Sequence, residues 1–170
     1  MEADLLLWIH GRAAAPFDAV FRLSHVTGGM IGSSSLVVLL AAWHLFRGER
    51  REALAWLVVG LSTLVLLEAL KPVVARARPA LWPRIVSEAG YSFPSGHALA
   101  SATFYPILAW EASRFRPALT RLWYALAIVS ALWVGLGRLY LGVHWPSDVA
   151  AGWGLGALQS ALALRVLRRD

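Results

Sequence analysis

Residues 53–79 read ALAWLVVGLSTLVLLEALKPVVARARP, and the change of character inside that stretch decides the fold. Ala53–Leu70 is apolar over nearly the whole ~20 residues of helix that a hydrocarbon core demands. Then Lys71, Arg76 and Arg78 follow in quick succession, with Pro72 and Pro79 between and after them. A membrane span therefore opens directly into a basic segment. Four further stretches repeat the first half of this pattern: Met30–Phe46, His97–Ser113, Ala118–Leu136 and Ser147–Leu167. The expected fold is all-α, an integral membrane helical bundle with five or six transmembrane helices. The chain reads as a single domain, 1–170, with 30–167 as its transmembrane core. In residues 1–29, Pro16, Asp18 and Arg22 interrupt any spanning helix, and Gly28, Gly29 and Gly32 break the chain. Amphipathic helices lying in the outer interface are favoured there over a sixth crossing.

Composition agrees. Of 170 residues, 58% are hydrophobic and only 15% charged, and the net charge is +6. In a soluble protein that excess would point to nucleic acid; here the arginines fall in short loops between apolar runs, so no nucleic-acid partner is expected. The absence of cysteine excludes disulfides, thiolate catalysis and Cys-ligated zinc. The N-terminus, MEADLLLWIH, has neither a basic leader nor a small-residue cleavage site and reads as retained sequence.

The loops set an orientation. Arg47, Arg50 and Arg51 fill one; Arg114, Arg116 and Arg121 flank another; Arg165, Arg168 and Arg169 close the chain. Alternating spans put all of these on one side, which the positive-inside rule makes cytoplasmic. Lys71, Arg76, Arg78, Arg84 and Arg138 then lie on the opposite side, where topology disfavours them. Cations in that position need an anionic partner, because leaving them half-buried and unpaired costs several kcal/mol.

Three polar clusters share that side: Lys71–Pro79 (KPVVARARP), Tyr91–His97 (YSFPSGH) and Arg138–Asp148 (RLYLGVHWPSD). In the first, lysine offers a mobile charge and arginine a planar fork matched to phosphate oxygens; taken alone it is equally a basic stretch attracting anionic headgroups. In the second, Ser95 is placed to cap a helix, Gly96 permits close approach of a ligand, and the helix N-terminus suits phosphate. His97 adds a group able to donate a proton near neutral pH, although a capped helix with an interfacial histidine would read the same way. In the third, Asp148 follows His144 by four residues. It is close enough to accept from one ring nitrogen and leave the other free to attack phosphorus, the arrangement of an activated nucleophile. A metal pair or a structural hydrogen bond are the alternatives, the metal being disfavoured by the scarcity of other carboxylates and histidines on this side.

Together the clusters resemble the three signatures of the type 2 phosphatidic acid phosphatase superfamily: K-x6-RP, PSGH and SR-x5-H-x3-D. Lys71, Arg78 and Pro79 match the first, Pro94–His97 the second, and Arg138, His144 and Asp148 the third, in order and with the family spacing. One position departs, since Gly137 stands where the family has serine, a loss of about one hydrogen bond, on the order of 1 kcal/mol. The resemblance implies that His144 is the nucleophile and forms a phosphohistidine, that Asp148 orients it, and that His97 protonates the leaving oxygen. It implies that Lys71, Arg78, Ser95, Gly96 and Arg138 hold the phosphoryl group, with no metal and no cofactor. The implied partners are a membrane lipid substrate and the bilayer itself. The implied location is the bacterial plasma (inner) membrane with the active site on the extracytoplasmic face. Candidate substrates are undecaprenyl pyrophosphate, phosphatidic acid, phosphatidylglycerol phosphate and lipid A phosphate, with carrier-lipid recycling preferred. Phosphotransfer through the same histidine and non-catalytic lipid-phosphate binding or transport are the competing readings. The sequence sets no oligomeric state.

Weaker features complete the reading. Glu68, one helical turn before Lys71, is expected to pair with Lys71 or Arg76. His10, His25 and His44 match no signature and are expected to be interfacial or packing residues. Trp82, Tyr91, Phe93 and Trp145 are expected in an aromatic belt, or lining the way in for a headgroup. Gly152, Gly154 and Gly156 are expected to let helices pack closely.

Overall fold

The computed structural model describes residues 1–84 and 86–168, with Ala15 described by its backbone alone. Arg169, grouped above with Arg165 and Arg168, lies outside the described residues. Seven α-helices follow one another among the described residues: α1 (Glu2–His10), α2 (Ala15–Gly28), α3 (Met30–Phe46), α4 (Arg50–Val74), α5 (Gly96–Phe115), α6 (Thr120–Tyr140) and α7 (Pro146–Leu167). Among the described residues there is no strand, as a bundle that satisfies its backbone internally requires.

α5 is the central post, packed along both α6 and α7. Two glycines make the α5–α7 contact. A β-carbon on Gly152 would lie 2.7 Å from the Ser95 carbonyl oxygen, and one on Gly156 would lie 2.4 Å from that of Leu99. Side chains there would force the helices apart, as expected; Gly154 faces open space and has no such role. Val37, Ala41, Trp56, Phe104, Ile107 and Leu164 form the core where α3, α4, α5 and α7 meet. Outward-facing Leu39, Leu61, Val65, Ile128 and Val129 are exposed, as lipid-facing residues are.

The expected five or six spans are met only in part. Among the described residues three segments are long and apolar enough to cross a membrane: Arg50–Val74, Pro117–Tyr140 and Pro146–Leu167. A fourth is available if α2 and α3, bent by 47° at their junction, are one span. α5 does not qualify by composition. Its buried residues include Ser101, Thr103 and Glu111, which a helix enclosed by protein tolerates because its neighbours satisfy them.

At the end of the bundle where α3 and α5 finish and α4 begins, a buried polar knot is fully bonded. His44 Nδ1 lies 2.7 Å from Glu49 and its Nε2 lies 2.9 Å from Glu111. Trp56 Nε1 donates to the same Glu111 oxygen at 2.7 Å, and Arg47 Nε donates to Glu49 at 2.9 Å. His44 is thus a packing residue, as expected.

Candidate active site

The other end gathers all three polar clusters. α4 runs through Pro72 and stops at Ala75, whose left-handed backbone (φ 48°) lets its N–H close on the Lys71 carbonyl. The chain then continues without helix past Arg76 and Arg78. Ser95 caps α5, its hydroxyl accepting from the Ala98 N–H, while its own N–H donates to the Asp148 carbonyl. Arg138 closes α6, Gly142 (φ 71°) turns the chain, and His144 precedes α7, whose first turn carries Asp148. Lys71, Arg78, Gly96, His97 and His144 line one cavity of about 670 Å³. Its remaining lining is largely apolar and includes Val37, Leu67 and Phe104 with Leu57, Leu61 and Leu64, the last three exposed on the outer surface of the bundle.

His144 and Asp148 are both buried, with Nδ1 3.5 Å from the carboxylate, an ion-pair separation longer than a good hydrogen bond. Asp148 is itself fixed: one oxygen accepts from the Trp145 N–H at 2.8 Å, the other from Arg76 Nη1 at 2.8 Å. On the far side of the ring, Arg78 Nη1 approaches Nε2 at 3.1 Å. Since arginine only donates, Nε2 accepts, which assigns the ring proton to Nδ1 facing Asp148. The lone pair that could attack phosphorus is therefore on Nε2, beside a guanidinium. Burial holds the His144 imidazole below its ordinary pKa of 6.5; Asp148 opposes this and the charge of Arg78 adds to it. Burial likewise lowers Arg78, against the pull of Glu88.

Arg78 spends its other donors on backbone carbonyls, Nε on Gly90, Nη2 on Ala89 and Nη1 on Val143, each at 3.0 Å. Arg138 is fully buried. Its Nη1 donates to His25 Nδ1 at 2.8 Å, and its Nε has no hydrogen-bond partner among the described residues. A buried guanidinium donor without an acceptor is costly unless an anion completes it.

Four residues at this end were not foreseen. Glu88 places its carboxylate 3.4 Å from His25, 3.5 Å from Arg138, 3.7 Å from Arg78 and 3.9 Å from His97. These are charge contacts, not good hydrogen bonds, so a carboxylate already sits where positive groups converge. His25, expected to be a packing residue, is in the site: its ring stacks on that of His97 at 5.2 Å, and its carbonyl accepts from His97 Nε2 at 3.1 Å. Ser24 is fully buried against Arg138, and Glu2 reaches from α1 to Arg76 and to the Ser147 N–H and hydroxyl. None of these sits in a signature, and each meets at least one partner about fifty or more residues away in the chain, as Glu88 meets Arg138 and Glu2 meets Arg76.

The expected pairing of Glu68 is overturned. Arg76 is engaged by Glu2 and Asp148, and among the described residues Glu68, exposed on α4, pairs with neither it nor Lys71. The extended segment after Ala75 carries Arg76 away from the helix face that Glu68 shares. Trp82 stacks on His10 at 4.2 Å, and Trp145 donates to the Ala77 carbonyl beneath Arg76, so these aromatics pin the loops of the site. As for metals, His25, Glu88 and His97 bring ligand atoms within 4.8 Å of one another, but the Arg138 guanidinium stands among them.

This constellation can be set beside known proteins. Residues 52–170 match the model of the PAP2 superfamily. Phosphatidylglycerophosphatase B of Bacillus subtilis is 36% identical over 75% of this chain and 66% of its own length. The undecaprenyl-diphosphatase of Sulfolobus acidocaldarius is 34% identical over 72% of this chain and 58% of its own length. The chain thus spans less than two thirds of the length of these relatives. The crystal structure of the transmembrane PAP2-type phosphatidylglycerolphosphate phosphatase of Bacillus subtilis superposes with a TM-score of 0.87 at 29% identity, covering 96% of this chain and 83% of that one. With the family model covering well over half of its length, the chain belongs to the PAP2 superfamily.

Proposed function

We propose that this protein is an integral membrane lipid phosphatase that releases phosphate from a lipid phosphate or pyrophosphate through a phosphohistidine on His144. One observation carries the reading: a cradle of cations around the Nε2 of an oriented, buried histidine opens into the apolar cavity of about 670 Å³. The cradle suits a phosphoryl group and the cavity suits the chain it is attached to, so a single ligand with both parts fits.

In the first step Nε2 of His144 attacks the terminal phosphorus and the bond to the leaving oxygen breaks, that oxygen being the lipid hydroxyl oxygen of a monophosphate or the bridging oxygen of a pyrophosphate. That oxygen takes a proton from His97, whose Nδ1 faces the cradle while its Nε2 is tied to the His25 carbonyl. The arriving phosphate dianion favours the protonated His97 ring that this step needs. Asp148 balances the positive charge that develops on His144. In the second step water attacks the phosphohistidine, giving its proton to His97 as the N–P bond breaks. Arg78, Arg138 and Lys71, with Ser95 and the Gly96 backbone, hold the phosphoryl oxygens throughout. With those cations in place, and with Arg138 standing among the only converging metal-ligand groups of the described residues, the reaction proceeds without a metal. Residues 1–170 act as one membrane domain. The site faces the extracytoplasmic side of a bacterial plasma membrane, because the loop arginines of the opposite end follow the positive-inside rule. Undecaprenyl pyrophosphate is the preferred substrate, ahead of phosphatidylglycerol phosphate, phosphatidic acid and lipid A phosphate.

Phosphate release from these four lipids in detergent, with and without a chelator, tests the reading. Turnover that survives the chelator, with an acid-labile and base-stable label on the wild-type protein and none on His144→Ala, is the expected result. Full turnover by His144→Ala would overturn the mechanism, and loss with chelator restored by a divalent ion would overturn its metal-free form.

A further inference from the structure

Gly137 leaves Arg138 without the serine that the resemblance leads one to expect beside it, and the structure fills that space from another helix. A β-carbon built on Gly137 would lie 2.2 Å from the hydroxyl oxygen of Ser24 on α2. Ser24 is fully buried, and its hydroxyl donates to the Phe21 carbonyl at 2.7 Å. Its lone pairs are thereby left for Arg138, whose Nη2 lies at 3.5 Å. The next residue does more. His25 accepts from Arg138 Nη1 through its ring, and from His97 Nε2 through its carbonyl.

α2 is held so that these contacts are fixed. Asp18, Phe21 and His25 recur at helical spacing and so share one face of α2, against α6. The Tyr140 hydroxyl donates to Asp18 at 2.6 Å, and the rings of Phe21 and Tyr140 pack at 4.4 Å. Tyr140 is two residues from Arg138, so the same turn of α6 docks α2 and carries the phosphate-holding arginine. The α2 residues of this contact, Asp18, Phe21, Ser24 and His25, lie before residue 52, where the family match begins.

We propose that Ser24 and His25 are positioning residues of the active site: Ser24 stands in for the serine missing at Gly137, and His25 fixes Arg138 and the proton donor His97 together. This deepens the phosphatase reading and rests on it.

The test uses the full chain in detergent, phosphatidic acid as substrate and inorganic vanadate as a competing oxyanion. Ser24→Ala is expected to weaken vanadate roughly threefold to tenfold by loosening Arg138. Gly137→Ser alone is expected to do worse, because the new side chain meets Ser24. The double variant, with the hydroxyl moved to the other helix, is expected to recover to within about threefold of wild type, a coupling that independent sites do not show. His25→Phe keeps the stack on His97 and loses the acceptor for Arg138, so vanadate is expected to weaken about tenfold or more. His25→Asn retains an acceptor and is expected to restore vanadate binding while shifting the basic limb of the pH profile, since His97 loses its stacked neighbour.

A merely structural role would lower kcat in proportion to folded protein and leave KM, vanadate affinity and the pH profile unmoved; that result overturns the proposal. So does additive behaviour of the Ser24 and Gly137 changes. Should Gly137→Ser fail to fold, the two His25 variants and Ser24→Ala still decide. Wild-type turnover with unchanged variants sinks this inference alone, whereas a wild type that releases no phosphate from any lipid sinks the phosphatase reading and this inference with it.

Discussion

The two ends of the bundle each bury a histidine beside a carboxylate, and they treat it in opposite ways. At the α3–α4 end, both nitrogens of His44 meet carboxylates at 2.7 and 2.9 Å, and those carboxylates are further bonded by Trp56 and Arg47. At the other end, His144 Nδ1, Arg138 Nε and a Glu88 oxygen are buried without a hydrogen bond among the described residues. A complete network stiffens a structure, while an incomplete one is high in free energy until something joins it. The first therefore reads as architecture and the second as an unfinished network, in which the open Arg138 Nε donor is the group an anion would complete.

The sharpest way to break that contrast is at Asp148. Asp148→Asn keeps the shape but removes the charge opposite the cation that the proposed mechanism develops on His144, and a kcat loss of about 10²–10⁴-fold is expected in phosphate-release assays. A loss under threefold would mean that the pair is structural like its counterpart.

Next comes pH. Because the His144 pKa is pushed below 6.5 by burial, the proposed nucleophile stays neutral at pH 7 and the acid limb of the kcat/KM profile, which reports the free protein, is expected below pH 6.5. The stability sign follows. The unfolded chain binds the proton more readily than the folded one, so this group's contribution is complete above pH 6.5 and is lost as pH falls through the depressed folded value. A limb above pH 6.5 would contradict the assignment to His144.

The opposite end is broken differently. Glu111→Gln weakens charge-assisted bonds to His44 and Trp56, and a stability loss of about 1–3 kcal/mol in thermal or denaturant unfolding is expected with kcat per folded molecule unchanged. A fall in kcat without a fall in stability would erase the distinction between the ends. The smallest effect is expected at Glu88. Glu88→Gln removes an anion from the cradle and is expected to tighten vanadate roughly threefold to tenfold, by competition binding, since a negative neighbour opposes an anionic ligand.

Much of this site was readable because its parts are local. His144 and Asp148 are one helical turn apart, Ser95 and His97 sit at a helix start, and Gly152 and Gly156 recur at helical spacing, so pattern alone placed them. The apolar runs located α3 to α7 within a few residues for the same reason. What pattern missed depends on docking. Ser24, His25 and Glu88 reach Arg138 only after α2 and the loop before α5 pack against the bundle, and no periodicity encodes that. The Glu68 pairing failed because helical proximity says nothing of a segment that leaves the helix at Ala75. The span count is met only in part, because α5 buries Ser101, Thr103 and Glu111 among its neighbours and its composition falls short of a lipid-facing span.

The apolar wall of the cavity carries a consequence for measurement. If a lipid chain occupies the space lined by Leu57, Leu61, Leu64 and Phe104, the substrate is captured from a two-dimensional solution. Rates would then follow the mole fraction of substrate among detergent or lipid molecules rather than its amount per volume of buffer. Diluting the substrate with inert detergent at fixed bulk concentration would slow the protein as surely as withholding the substrate.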